Sequence, residues 1–344
     1  MRPTAVSPFL LALAGCLAED PAPTFIEDLV ERSAVLACAA AEIEDPPPMV
    51  NRLKVLNDTL LGVIAAGSRE IRLLGRDLRT IASVGYAEEG PGALLDPRDL
   101  DMSGDTLLAV ADRALARIQL LDLAGRDRGR LDLGFPPQRL LRLRDGYLVS
   151  ATLLTPAQGE LLFRASSAKV EGLGVSALHV ADWQLRTLAN LTVLEPLGGG
   201  RVVLGHQFIE PAAHVLDFTD REDRPAKATR ASVPLPEAAR EAVGRLPQRP
   251  FTEEALMALV APILEAASDS SSGRLLYLTR SGRRLRGYHE KVLIRVDRDL
   301  RYLDSFLLPV NVGPFAYLRS REEIVAVAED ERWYRCPLPP RIGA

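Results

Sequence analysis

The residues whose types and spacing could carry chemistry gather in one short run, RSGRRLRGYH at 280–289, where Arg283, Arg284 and Arg286 stand beside Tyr288 and His289. Guanidinium groups pair with carboxylates and phosphates through parallel N–H donors, so this run suits a carboxylate, a phosphate or an acidic sugar. A hairpin tip that simply faces water fits the same residues. The four histidines, His179, His206, His214 and His289, fall at no metal-ligand spacing, and there is no Cys-x-x-Cys. Gly198-Gly199-Gly200 is followed by neither Lys-Ser nor Lys-Thr, which leaves a turn rather than a phosphate loop, and no Gly-x-Ser-x-Gly elbow occurs. His206 and Asp112 join the arginines and Tyr288 as candidate ligand contacts because they fall in segments expected to be loops on one face. No metal site is expected.

The chain of 344 residues carries a formal net charge of -4, with 47% hydrophobic, 26% charged and 5% aromatic residues. That composition supports a packed core rather than general disorder. Acidic and basic residues are mixed, so there is no broad basic surface for a phosphate backbone and nucleic acid is not an expected partner. No internal apolar run approaches the roughly 20 residues of a membrane-spanning helix, so the body is expected to be soluble.

The opening MRPTAVSPFLLALAGC has one positive charge, a short apolar stretch and then small residues, the layout of a signal peptide. Leu13-Ala14-Gly15-Cys16 resembles a bacterial lipobox. The resemblance implies cleavage before Cys16, lipid attachment to it and, with Leu17 following, the outer membrane. The alternative is an apolar N-terminus with an incidental cysteine, and Pro8 interrupts that stretch. The expected location is the bacterial cell envelope, lipid-anchored, at the outer membrane or periplasmic face. The expected division is a lipoprotein signal at 1–16, a linker and ring-closing strand at 17–48, and the main domain at 49–344.

The elements that must position any site are read from a repeat. NDTLLGVIAAGSREIRLLGRDLR (57–79) aligns without a gap on GDTLLAVADRALARIQLLDLAGR (104–126): Asp58-Thr59-Leu60-Leu61 falls on Asp105-Thr106-Leu107-Leu108, Val63 on Val110 and Ile71 on Ile118, a shift of 47 residues. Weaker copies of a turn followed by an apolar run start near residues 145, 199, 273 and 322, making six. A period of this length built from short apolar runs predicts β-propeller blades, and runs apolar throughout predict strands covered on both faces. A sandwich needs no such register, and Asp-Thr and Asp-Gly turns at hairpin positions disfavour a helical solenoid.

Gly90-Pro91-Gly92, Asp96-Pro97, Val110-Ala111-Asp112 and Asp122-Leu123-Ala124-Gly125 are similar to the pattern of NHL-like six-bladed β-propellers of bacterial exported proteins, and Val325-Ala326-Val327 with Tyr334-Arg335 looks like the closing blade of that group. The resemblance spans roughly 50–338 and departs most in blades three and four. It implies an all-β, six-bladed ring and little chemistry. Ring closure would use the apolar segment 33–40 as an outer strand beside 333–337, bringing Cys38 near Cys336; a short helix is the other reading of that Ala-rich segment. In an oxidising compartment the two cysteines could bridge, or stand as a buried pair of thiols. A helical insertion is expected at 234–270 between blades four and five, with Thr252 as its cap and Pro262 as a kink.

The function that follows is a membrane-tethered binding or scaffolding module for a protein, peptide or glycan, with no cofactor. The alternative is a lactonase- or lyase-like enzyme holding a divalent metal in the central pore, for which Asp112, Asn190, Glu195, His206 and Glu210 are unranked ligands.

Overall fold

The computed structural model describes residues 26–86, 90–155, 158–178, 183–208, 212–219, 227–232, 263–269, 272–285 and 288–340. The chain enters through α1 (Ile26–Arg32), β1 (Ala34–Val35) and β2 (Ala39–Ala41), then lays down four-stranded blades in order. Blade one is β3 (Val50–Asn57), β4 (Leu60–Ala65), β5 (Ile71–Gly75) and β6 (Thr80–Val84); blade two is β7 (Pro97–Ser103), β8 (Leu107–Asp112), β9 (Arg117–Asp122) and β10 (Asp127–Asp132). Blade three is β11 (Pro137–Leu143), β12 (Gly146–Ala151), β13 (Leu162–Ala165) and β14 (Val170–Gly172). After α2 (Trp183–Ala189), blade four is β15 (Thr192–Gly198), β16 (Arg201–His206), β17 (Ala212–Asp217) and β18 (Lys227–Ser232). Blade five is β19 (Glu265–Asp269), β20 (Arg274–Leu285), β21 (Tyr288–Val296) and β22 (Tyr302–Leu307); blade six is β23 (Val312–Leu318), β24 (Glu323–Ala328) and β25 (Trp333–Pro337).

Within each blade successive strands pair antiparallel. The first strands β3, β7, β11, β15, β19 and β23 contact one another in turn and β23 returns to β3, which closes a ring of six around a central channel. This is a six-bladed β-propeller. The aligned stretch 104–126 is the middle hairpin of blade two, β8 with β9.

The apolar residues divide into six clusters, each shared by two neighbouring blades. Strand alternation explains the division: in β4, Leu60 and Ile64 pack toward blade two, while Leu61 and Val63 pack toward blade six. A strand with a blade on either side is buried at every position, as β4, β12 and β24 are. The outermost β10 has lost that cover and reads DRGRLD.

The turn between β15 and β16 is made by Gly198, Gly199 and Gly200, whose φ angles of 77°, 58° and 76° suit residues without a Cβ. At Gly200 a Cβ would also meet the Thr219 backbone at 3.1 Å.

The seam differs from expectation in one respect. The segment 33–40 is not a single outer strand. Its first part, β1, pairs parallel with β22 of blade five, and only after Leu36 does the chain cross to blade six, where β2 pairs antiparallel with β25 as the outermost strand. Leu36 is drawn into the apolar cluster between blades five and six, which divides the segment between two sheets. The helical turn that precedes it, α1, buries Ile26, Leu29 and Val30 against blades four and five. Cys38 and Cys336 are joined by a disulfide spanning 298 residues of sequence, so the ring is clasped covalently where its ends meet; a clasp of that span is worth about 2–5 kcal/mol.

The helical insertion expected at 234–270 lies mostly outside the described residues, Thr252 and Pro262 included. Its end corrects the expectation: Ile263 and Leu264 are non-helical, and Glu265–Asp269 is the innermost strand of blade five. EAASD has helix-favouring composition, and the demands of the ring override it.

Candidate functional site

The channel is lined by polar positions of the first strands, alternating with apolar ones that face neighbouring blades. In β3, Arg52 and Lys54 alternate with Leu53 and Val55; in β7, Asp99 and Asp101 alternate with Leu100 and Met102. The 47-residue register therefore sets Arg52 opposite Asp99 and Lys54 opposite Asp101 in adjacent blades.

Arg52 is 2% exposed and crosses the channel. Its Nε donates to Asp99 Oδ1 at 2.8 Å in blade two, Nη2 to Glu195 Oε1 at 3.0 Å in blade four, and Nη1 to Glu265 Oε1 at 2.6 Å in blade five. The other oxygens of these carboxylates are also engaged. Asp99 Oδ2 accepts from the Leu140 amide at 2.9 Å, Glu195 Oε2 from the Ser268 hydroxyl at 3.2 Å, and Glu265 Oε2 from Arg139 Nη2 at 3.4 Å. Buried charges are tolerable when paired and hydrogen-bonded in this way. Burial alone would raise the Asp99 carboxyl, but Arg52, Lys54 and Arg139 hold it at about 2. For Glu195 burial prevails over Arg52 and Lys54, and its pKa is raised.

This layer separates two cavities. One, of ≈ 380 Å³, opens where the first strands begin, on the face that carries the links between blades and the hairpins joining second to third strands; Arg98, Arg113, Gln138, Arg139, Thr152, Gln207 and Lys291 line it. The other, of ≈ 350 Å³, lies at the far ends of the same strands and includes Lys54, Asp58, Asp101, Glu195, Asp269 and Arg319.

The first cavity is rich in donors. Arg139 is 7% exposed and gives Nε to the Thr192 carbonyl at 3.0 Å and Nη2 to Glu265, which leaves Nη1 without a partner among the described residues. The Gln138 carbonyl oxygen accepts from the Thr192 amide and hydroxyl, both at 3.1 Å, which leaves its amide N–H groups similarly placed. Arg98 and Arg113 share Asp96, at 2.9 and 2.6 Å. Lys291 is 5% exposed and donates to the Val312 carbonyl and to Glu329 at 3.3 Å. Burial lowers the pKa of Arg98, with Arg113 adding to the effect as a like charge; burial likewise lowers that of Lys291.

The residues expected from sequence are dispersed. Asp112 is buried in blade two and accepts from the backbone amides of Leu95, Asp96 and Leu115, so it fixes the entry to its blade. His206 is buried at the end of β16, with its ring edge-on to His214 at 6.5 Å. Asn190 holds the backbone of Leu178 and Arg186. Arg283, Arg284 and Tyr288 lie on the long hairpin of β20 and β21, where Arg284 pairs with His289 and Leu285 with Tyr288 in the backbone register; their side chains, and Arg286, Glu210, His179 and Cys16 altogether, lie outside the described residues. Of the acids in the channel, Asp99, Glu195 and Glu265 are held by Arg52, Asp101 by Lys54 and Asp269 by Arg319. Among the described residues no three His, Cys, Asp or Glu side chains gather as metal ligands.

Sequence reasoning missed Arg52, Asp99, Arg139 and Glu265. The signal for the first two was present: extending the 47-residue register upstream of the aligned block sets Arg52-Leu53-Lys54 on Asp99-Leu100-Asp101, opposite charges at alternating positions of a strand.

No protein-family model matches the chain, and no curated protein does. Solved structures do share the fold. A member of the DUF4221 family from Bacteroides vulgatus superposes with a TM-score of 0.59 at 9% identity, covering 88% of this chain and 96% of that one. A protein described as exported, from Bacteroides fragilis, gives 0.58 at 10% identity over 86% and 84%. A gluconolactonase from Xanthomonas campestris gives 0.54 at 12% identity over 89% and 97%.

Proposed function

We propose that this propeller is a non-catalytic binding module of the bacterial cell envelope, tethered through a lipid on Cys16, which takes its ligand in the donor-lined cavity where the first strands begin. The observation that carries the reading is the Arg52 layer. Arg52 takes one oxygen each of Asp99, Glu195 and Glu265, and the Leu140 amide, the Ser268 hydroxyl and Arg139 take the others, so the groups that a metal-dependent lactonase or lyase of this fold would need free are engaged, with a polar cavity above them.

Leu278 of β20 and Lys291 of β21 line that cavity, and on this reading the run that joins them, with Arg283, Arg284, Arg286 and Tyr288, supplies further contacts to a protein, peptide or glycan. The disulfide fits an oxidising compartment, and the exported Bacteroides fragilis neighbour fits the same address. The chain is of the NHL-like type on this reading. Cys16→Ala should shift the protein from the membrane to the soluble fraction of fractionated cells, and unchanged fractionation overturns the tether. Calorimetric binding of calcium, manganese or zinc by the purified body would restore the enzymatic alternative.

A further inference from the structure

We propose that the ligand held in this cavity is a small organic oxyanion, bound through a carboxylate or phosphate group by Arg139, Gln138, Arg113 and Lys291. The inference rests on the reading that this cavity is the binding site. The cavity wall is richer in donors than in acceptors. Arg139 Nη1 and the Gln138 amide N–H groups lack partners among the described residues, although both side chains are at least nine-tenths buried. The Thr152 hydroxyl, on a residue 3% exposed in the cavity wall, is also without a hydrogen bond there. Donors that open onto a cavity without a protein partner are answered best by a ligand that accepts.

Charge selects the kind of acceptor. The cavity's own carboxylate, Glu265, is bound to both Arg52 and Arg139, and Asp96 is shared by Arg98 and Arg113. Arg280 stands opposite Lys291 in the β20–β21 register just outside the lining, its Nε buried without a hydrogen bond, and Lys291 also reaches Glu329 at 3.3 Å. An oxyanion relieves the mutual repulsion of these cations and answers the open donors at once, whereas a neutral sugar answers only the second and a cation answers neither. The volume of ≈ 380 Å³ suits a small molecule, or the anionic end of a peptide or glycan, rather than a whole folded partner.

The experiment is thermal unfolding of the soluble body with citrate, glucuronate, glucose 6-phosphate, glucose or spermidine at matched ionic strength. At least one of the three oxyanions should raise the midpoint by about 2 °C or more at concentrations well above its Kd. Citrate or glucuronate alone would identify the carboxylate, and glucose 6-phosphate alone the phosphate. The rise should fall at least tenfold in apparent affinity in Arg113→Gln, a residue exposed enough for the fold to tolerate the change, and in Lys291→Gln. Stabilisation by glucose or spermidine only would overturn the oxyanion while keeping a binding cavity. No shift with any of the five, or an oxyanion shift unchanged in both variants, overturns the inference, while the tether stands or falls on the Cys16→Ala fractionation.

Discussion

At the mouth where the six first strands begin, the channel is walled by Arg98, Arg113, Arg139 and Lys291; at the opposite end of the same strands it is walled by Asp58, Asp101, Asp269 and Glu195, with Lys54 and Arg319 among them. The two ends differ in how well their charges are answered. At the far end Lys54 reaches Asp101 at 3.4 Å and the Leu140 carbonyl at 2.9 Å, and Arg319 reaches Asp269 at 3.4 Å. At the near end Arg139 reaches Glu265 and Lys291 reaches Glu329, but Arg98 and Arg113 share one aspartate, and Arg139 Nη1 and the Gln138 amide have no partner among the described residues. A repeat that places opposite charges at equivalent positions in neighbouring blades neutralises itself around the ring, so the interior layer needs no ligand. Where blades stop being equivalent, toward the two mouths, a surplus of one sign survives, cationic where the strands begin and acidic at the far end, and a ligand site can form there.

If Arg52 is what divides the two ends, removing it should have the largest effect. Arg52→Met leaves three buried carboxylates without their common partner, a change expected to cost about 3–5 kcal/mol at neutral pH. Urea unfolding should show the midpoint falling accordingly, and the loss should shrink toward pH 5 as the orphaned carboxyls take up protons. A variant as stable as the parent would mean that the two ends are one continuous water-filled channel.

Within the layer, Asp99 and Glu195 should respond to pH in opposite senses. The Asp99 carboxyl is held at about 2, below its ordinary 3.8. A depressed carboxylate contributes stability that is complete above its unfolded pKa and disappears as the pH falls through the folded value, so Asp99→Asn should cost about 2 kcal/mol at pH 7 and progressively less between pH 4 and pH 2. Glu195 is raised from 4.5 by burial; its contribution is complete below its unfolded pKa and fades as the pH rises through the folded one. Glu195→Gln, which keeps an acceptor for Arg52, should therefore cost less at pH 7 than Asp99→Asn. Chemical denaturation at pH 7 and pH 3 compares the two, and equal costs at both would deny the layer its electrostatic origin.

The blades were legible in the sequence and the channel was only partly so, for one physical reason. Apolar runs such as Leu60-Leu61 and Leu107-Leu108 repeat because every blade must bury both faces, and burial tolerates few residue types. Channel positions do not repeat in kind: Arg52, Asp99, Arg139, Glu195 and Glu265 complement one another across the ring, so the residue type changes between most neighbouring blades, and only blades four and five share a glutamate. Glu265 was hidden further because EAASD follows a long interruption and favours a helix in isolation. The fifth-blade arginines form a contiguous run, yet the cations that line the cavity are separated by between 15 and 193 positions and meet only when the ring closes.

The far end should also give the smallest response. Arg319 is 56% exposed beside the buried Asp269, and a pair with one partner that open is screened and worth little, so Arg319→Gln should change stability by no more than about 0.5 kcal/mol. Its value lies in the contrast it tests. The substitution makes the acidic end more acidic, and if the Arg52 layer isolates the two cavities, the midpoint shift produced by an oxyanion at the near end should be unchanged. A weakened shift would mean that the field of the far end reaches through the layer, and the donor-rich mouth would then owe part of its preference for anions to a cation at the other end of the channel.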